Sequence, residues 1–390
     1  MFSFRLVRPA GGRRRALRGL FFLAASTIAW LALPPLATPA AAAPIEVVDA
    51  LGRKVTLPDT PQRVIVNFNF EEFTAVAGLD GWKRVVGISR APWEGWRPAI
   101  FSRYKAVIPN LADMPDIGNS DDNTFSVEKV IALKPDVLFL AEWTFSSLKD
   151  GKGQIEAAGI PIVVVDYNAQ LLERHLASTR ALGRVMGAEA RAEELAVLYE
   201  RSFKDVLARV EKAKAAGAAA QRVYVELGQG GAGTIGNTYN GTMWGKIITT
   251  LGAENIATGK LPGPWGPLNA EAVIASNPDV ILIAGSSWVN KPNSVRTGYD
   301  ATPEITRASL KPYAERAGWS TLAAVNGGNV NAIEHGLCRT LFDFVAYQYV
   351  GKRLYPDAFK DVDPEAAFRE YHARYLPVAY SGTWMLPLDR

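Results

Sequence analysis

The pattern of apolar and polar positions along this chain occurs twice. Residues 127–141 run Val-Glu-Lys-Val-Ile-Ala-Leu-Lys-Pro-Asp-Val-Leu-Phe-Leu-Ala, and residues 270–284 run Ala-Glu-Ala-Val-Ile-Ala-Ser-Asn-Pro-Asp-Val-Ile-Leu-Ile-Ala. Eight of the fifteen positions are identical, at a constant offset of 143. In each copy a short helical segment is stopped by a Pro-Asp pair, because proline disfavours helical geometry in the residue before it. The apolar run that follows reads as a strand buried on both faces, as in a parallel sheet covered by helices. A second pair comes earlier in each half. Residues 63–66 (Arg-Val-Ile-Val) and 222–225 (Arg-Val-Tyr-Val) predict opening strands, each leading through a polar loop to a helix, over 71–77 and roughly 242–251. Two copies are too few for a solenoid. They predict an α/β fold of two Rossmann-like lobes with a ligand cleft between them.

Residues 171–216 differ from both halves. They are charged and alanine-rich, with Leu176, Leu182, Val185, Leu195, Leu198, Val206 and Val210 near helical spacing and Gly187 interrupting. This predicts two consecutive helices bridging a lobe over 44–170 and a lobe over 217–390. A helical bridge is stiffer than extended crossover strands, so closure should be modest.

Composition changes this picture mainly at the N-terminus. The net charge of +4 comes from one segment: residues 1–43 hold six arginines and no acid. Without them 37 basic residues meet 39 acidic ones, which removes the case for a nucleic-acid partner. Arginines, then an apolar run over 19–33, then the small residues 38–43 read as a signal peptide. The run is short for a transmembrane helix. A periplasmic location is therefore expected. The single cysteine, Cys338, permits no internal disulfide, so the exported domain relies on its core.

In open α/β sheets ligands bind beyond the carboxyl ends of the strands. The segments that follow the expected strands carry Phe68, Glu142 with Trp143, Tyr239 with Asn240, Trp288, and His335 with Arg339. Trp93, Trp96, Arg97, Trp244 and Trp265 fall in expected loops or loop–helix junctions. Aromatic faces with a few polar groups suit a flat or chelate-like ligand, and these thirteen residues are the candidate ligand contacts. Trp143 and Trp288 stand at matching strand ends of the two repeats. Arg97, Arg339 and His335 would meet the charge of an anionic complex.

Other chemistries find little support. The run Gly228-Gln229-Gly230-Gly231-Ala232-Gly233 lacks the Gly-Lys-Ser/Thr that completes a phosphate loop. There is no His-x-x-x-His or Cys-x-x-Cys spacing for a metal and no nucleophile–base pair for an exported enzyme. No resident cofactor is expected.

Taken in order, several segments resemble the substrate-binding proteins of iron-complex, haem and cobalamin ABC importers, the bilobal class with a helical bridge. They are residues 48–58 (Val-Asp-Ala-Leu-Gly-Arg-Lys-Val-Thr-Leu-Pro), 61–66, Ile117-Gly118, the two Pro-Asp-Val elements, 251–256 (Leu-Gly-Ala-Glu-Asn-Ile) and 347–359. The resemblance implies capture of a metal complex, such as a ferric siderophore, by a monomer that delivers it to an inner-membrane permease and its ATPase. It also implies a surface glutamate on each lobe for docking. Glu72 is the candidate on the first lobe; the matching helix over 242–251 contains Lys246 and no glutamate. The competing expectation is a bare or lightly chelated hard metal ion held by Glu71, Asp121, Asp122, Glu142 and Glu226.

Overall fold

A computed structural model describes residues 43–288 and 291–388; the expected signal peptide lies outside these, save its last residue. The described chain opens with a hairpin, β1 (Ile45–Val48) and β2 (Lys54–Leu57). Its turn is built on Asp49. One carboxylate oxygen accepts the Leu51 and Arg53 amides, both at 3.0 Å, and the other accepts the Val164 amide. The hairpin of the 48–58 segment is thereby tied to the sheet behind it.

The first lobe follows: β3 (Val64–Val66), α1 (Phe70–Trp82), β4 (Val85–Ile88), α2 (Pro98–Lys105), α3 (Val127–Ala132), β5 (Val137–Ala141), α4 (Glu142–Ser147), α5 (Gly151–Ala157) and β6 (Ile162–Val165). Its four strands are parallel in the order β4-β3-β5-β6. Two helices come next, α6 (Leu172–Met186) and α7 (Glu189–Ala215), separated where Gly187 takes a left-handed conformation that ends α6. The second lobe contains β7 (Arg222–Leu227), β8 (Asn237–Tyr239), α8 (Met243–Thr250), β9 (Glu254–Asn255), β10 (Trp265–Pro267), α9 (Ala270–Ser276), β11 (Val280–Gly285), α10 (Pro303–Ala314), α11 (Ala323–Asn326), β12 (Val330–Glu334), α12 (Phe344–Leu354), α13 (Pro364–Tyr375) and β13 (Met385–Pro387). Its sheet runs β13-β12-β11-β7-β9, parallel except for β13.

The repeated segment has a physical explanation. The Ser126 hydroxyl caps α3 by accepting the Lys129 amide, and the Asn269 side chain caps α9 by accepting the Glu271 amide. Each helix then unwinds through a residue at positive φ, Lys134 at 46° and Asn277 at 42°, directly before the Pro-Asp pair. The aspartate ties the end of that turn to the start of the adjacent strand. Asp136 accepts the Gln62 and Arg63 amides at 2.7 and 2.8 Å, and Asp279 accepts the Arg222 amide at 2.8 Å. The Pro-Asp-Val element is thus a register lock between two parallel strands, used once per lobe.

The helices α6 and α7 form the expected pair, but they are not equivalent. α6 packs on β6, β1 and α1, all in the first half of the chain; α7, 27 residues long, packs on α6 and α1 and also on α12 of the second lobe. Its buried stripe is Ala192, Leu195, Ala196, Tyr199, Phe203, Val206 and Val210. At about 1.5 Å per residue it spans roughly 40 Å, so the connection between lobes is helical. At this junction Asp343, fully buried, accepts hydrogen bonds from Gln170 (2.6 Å) and Tyr199 (2.8 Å) and pairs with His175 Nε2 at 3.0 Å. Burial opposes protonation of His175, yet the facing Asp343 outweighs it and raises the imidazole's pKa. Cys338 is a buried thiol, as its small apolar character suggests.

Candidate functional site

Each sheet reverses strand order beside its opening strand, at β3 in one lobe and β7 in the other. These are the switch points where loops separate and leave a crevice. In the first lobe Asn67 holds the strand ends together. Its amide nitrogen donates to Ser89 Oγ at 2.7 Å after β4, and its oxygen accepts the Ala141 amide at 3.3 Å at the end of β5. Phe68 follows and projects into an aromatic group, edge-on to Trp143 at 4.6 Å and 6.4 Å from Trp96. Trp96 and Trp143 are half-buried.

Two arginines from opposite lobes meet on Phe68. The guanidinium carbons of Arg97 and Arg339 lie 5.4 and 5.2 Å from its ring centre, and that of Arg339 lies 5.9 Å from Trp96. Arg97 is 4% exposed and Arg339 9%. They differ in company. Arg97 donates to Glu71 at 2.6 Å. Burial works to lower its pKa, but Glu71, Glu334 and Glu72 hold it above its ordinary value. Arg339 makes no side-chain hydrogen bond among the described residues, and burial, followed by the nearby Arg97, lowers its pKa. A buried guanidinium left in that condition offers its donors to whatever enters.

The second lobe supplies the opposite wall. His335 is 7% exposed. Its Nδ1 accepts the Trp244 indole N–H at 3.2 Å, its Nε2 lies 3.4 Å from the Tyr239 hydroxyl, and Trp288 sits 6.2 Å from its ring. Burial, then Arg339 and Arg97, push its pKa well below the usual imidazole value. A cavity of about 460 Å³ lies between the start of α2 (Pro98, Ala99, Ser102) and the segment after β11 (Ser287, Arg296, Asp300, Ala301, Ile305). It adjoins a void of about 10 Å³, lined by Arg97, Thr297 and Glu334 among others, large enough for one water. Arg103 and Asp300 pair across the lobes at 3.1 Å beside the larger cavity.

The structure brings Phe68, Trp96, Arg97, Trp143, Tyr239, Trp288, His335 and Arg339 into one neighbourhood. Other expectations need correction. Trp93 is fully buried in the first lobe's core, stacked on Phe70 at 4.1 Å and near Trp82, Phe101 and Tyr104. The single turn over Ala91–Gly95 folds it inward instead of toward the cleft. Trp244 is also fully buried, behind His335. Trp265 pairs in register with Tyr239 on the β8–β10 ribbon but is 58% exposed. Asn240 is half-buried, and its carbonyl accepts the Asn255 side chain. Glu142 opens α4 and accepts the Ser146 hydroxyl at 2.6 Å.

Glu72 is not the surface docking residue expected of it. It is 2% exposed and accepts the Leu341 amide of the second lobe at 3.0 Å. Burial, reinforced by Glu71, raises its pKa to about 7. The helical register explains this: α1 is buried from Phe70 through Val76, so its first turn has no outward face.

The carboxylates proposed for a bare metal do not converge. Glu226 is held by Arg316 at 2.6 and 2.8 Å, by Tyr224 and by the Gly236 amide, while Glu71 is paired with Arg97. Among the described residues no group of three or more His, Cys, Asp or Glu could hold a metal ion. Two residues absent from the expected set belong here. Glu334 accepts Ser286 Oγ and the Gly336 amide under the field of Arg97. Asn69 is 4% exposed with both side-chain amide atoms unpartnered among the described residues. Glu334 is the last residue of β12 and Asn69 lies between β3 and α1, so closeness to a strand end was the one signal the sequence offered.

A family model described as periplasmic binding protein matches residues 71–296. A solved TroA-like periplasmic binding protein, FepB from Veillonella parvula, is similar at 36% identity and a TM-score of 0.82, covering 89% of this chain and all of that one. The molybdate-binding protein MolA of Haemophilus influenzae is 25% identical over 362 residues, 86% of this chain and 91% of its own length. A vitamin B12-binding protein from Pectobacterium atrosepticum is 30% identical over 162 residues, 42% of this chain and 55% of its own.

Proposed function

Because this chain belongs to the periplasmic binding protein family, whose members are the substrate-binding components of ABC importers, we propose that its cargo is an anionic metal complex of the ferric-siderophore type. The observation that carries this reading is Arg339, a buried guanidinium against Phe68 and Trp96 with no hydrogen-bonding partner among the described residues. Arg97 adds a second positive charge from the opposite lobe, and the half-buried Trp96 and Trp143 offer faces to an organic ligand frame. A cavity of small-molecule size, about 460 Å³, begins at Pro98, the residue after Arg97, but Arg339, Phe68, Trp143 and His335 do not line it. The relatives are named as binding proteins, and binding followed by release to an inner-membrane permease and its ATPase asks for no catalytic group. Export by the 1–43 segment and action as a monomer complete the proposal. No helix among the described residues is long and apolar enough to cross a membrane.

Tryptophan fluorescence should report the cargo. Titration with ferric tris-catecholate, a ferric hydroxamate, haem, cobalamin and molybdate is expected to give the strongest response with the anionic ferric chelates. Binding of cobalamin with no response to any anionic complex would refute the reading.

A second reading is a compact oxyanion. Two guanidiniums converging on Phe68 suit a compact anion as well, and the Haemophilus relative is named for molybdate. Saturable molybdate binding in the absence of any chelate response would select it.

A further inference from the structure

His335 stands in a hydrogen-bonded row that contains no carboxylate: Trp244 Nε1 to His335 Nδ1 at 3.2 Å, then His335 Nε2 to the Tyr239 hydroxyl at 3.4 Å. An indole N–H only donates, so Nδ1 must present a lone pair; in a neutral ring the proton is then on Nε2. The surroundings keep the ring neutral. It is buried, and the charged groups acting on it are Arg339 and Arg97, both of which oppose a further positive charge. Nε2–H therefore donates to the Tyr239 oxygen, which leaves the Tyr239 O–H to donate onward. Burial keeps that phenol protonated. Beside this row, Arg97 and Arg339 each retain an Nε without a partner among the described residues. The row and these two Nε groups therefore offer donors, while Glu334 and the Asn69 oxygen are acceptors nearby.

We propose that Trp244 is a positioning residue that fixes the His335 proton on Nε2, so that the Trp244–His335–Tyr239 row holds its cargo by donating to an anionic oxygen and does not ligate the metal. The cargo is then either a metal complex whose coordination positions are already filled or an oxyanion, both recognised through the same acceptor oxygen. For His335 to bind a metal, Nε2 would have to lose its proton, or Nδ1 would have to release Trp244 and strand a buried donor. The proposal rests on the anion-binding reading above.

The test begins on the unliganded full chain. The sequence contains three histidines, so long-range proton–nitrogen correlation spectra of the imidazoles can be assigned with a His335→Gln control. The expected pattern for His335 is a protonated Nε2 and an unprotonated Nδ1, constant from about pH 5 to 8. Trp244→Phe should mix the tautomers. Tyr239→Phe should leave the tautomer in place but weaken ferric tris-catecholate or molybdate binding about 10- to 100-fold, the loss of one donor to a charged acceptor. A protonated Nδ1 or a titrating imidazolium in the wild type would overturn the proposal. So would unchanged affinity in Tyr239→Phe, or an iron–tyrosinate charge-transfer band on adding ferric nitrilotriacetate. If the wild type bound none of the probes, the anion reading would fall, while the spectra of the free protein would still decide the proton's position.

Discussion

Glu72→Gln should stabilise this protein at alkaline pH and not at acid pH. Glu72 is buried, and its carboxyl is raised from 4.5 to about 7, by burial first and then by Glu71. Between those values the folded state keeps a proton that the unfolded state has lost. Stability must therefore fall as pH rises through that window, at about 1.4 kcal/mol per pH unit. Over 2.5 units the loss is about 3 kcal/mol, complete above about pH 7. Glutamine keeps an acceptor for the Leu341 amide, now 3.0 Å from Oε1, but carries no charge. Urea unfolding followed by tryptophan fluorescence, at steps from about pH 4 to 8.5, should show the two proteins close together in acid and the variant ahead by up to about 3 kcal/mol in base. A difference that stays constant with pH, or that runs the other way, would refute the assignment of Glu72 as a buried acid.

Three further changes test separate parts of the molecule. Asp343→Asn breaks the fully buried pair with His175 and should cost about 3–5 kcal/mol. Because the folded pKa of His175 is raised, that cost should be full below the ordinary imidazole value and shrink as pH climbs past the folded one, measured by unfolding at several pH values. Trp93→Ala should cost about 3–5 kcal/mol in denaturation yet leave cargo titration unchanged in the folded fraction, since the ring packs on Phe70 and Trp82. Trp265→Ser, at an exposed position on the β8–β10 ribbon, should shift stability by less than about 0.5 kcal/mol.

The fold was legible where apolar runs were long and punctuated. The Pro-Asp-Val elements placed β5 and β11, because proline, a helix cap and a fully buried strand each leave an unambiguous local mark. The doubled pattern also conveyed the two lobes. The site was legible only as strand-end loops. Loop position fixes where the chain turns and not which way a side chain points, so Trp93 and Phe68 looked alike, though one packs inward beneath α1 and the other meets two arginines. Glu72 misled for a related reason. The resemblance implies an exposed docking glutamate at this helix start, and only long-range contacts, Glu71 with Arg97 and Glu72 with Leu341, show that this end is covered. The Trp244–His335–Tyr239 row spans 96 residues of sequence and leaves no local signature.

The packing of α7 against both α1 and α12 has a thermodynamic consequence. One continuous set of buried side chains runs from Val66 and Phe139 of the first sheet, through Tyr199 and Phe203 of α7, to Val225 and Leu282 of the second. The lobes can then tilt about a helix but share one cooperative melting unit. Amides in β5 and β11 should exchange with solvent through the same global opening, with the same free energy. A fragment carrying either lobe alone would expose the face that α7 and α12 cover, and would be expected to aggregate instead of binding with half the affinity.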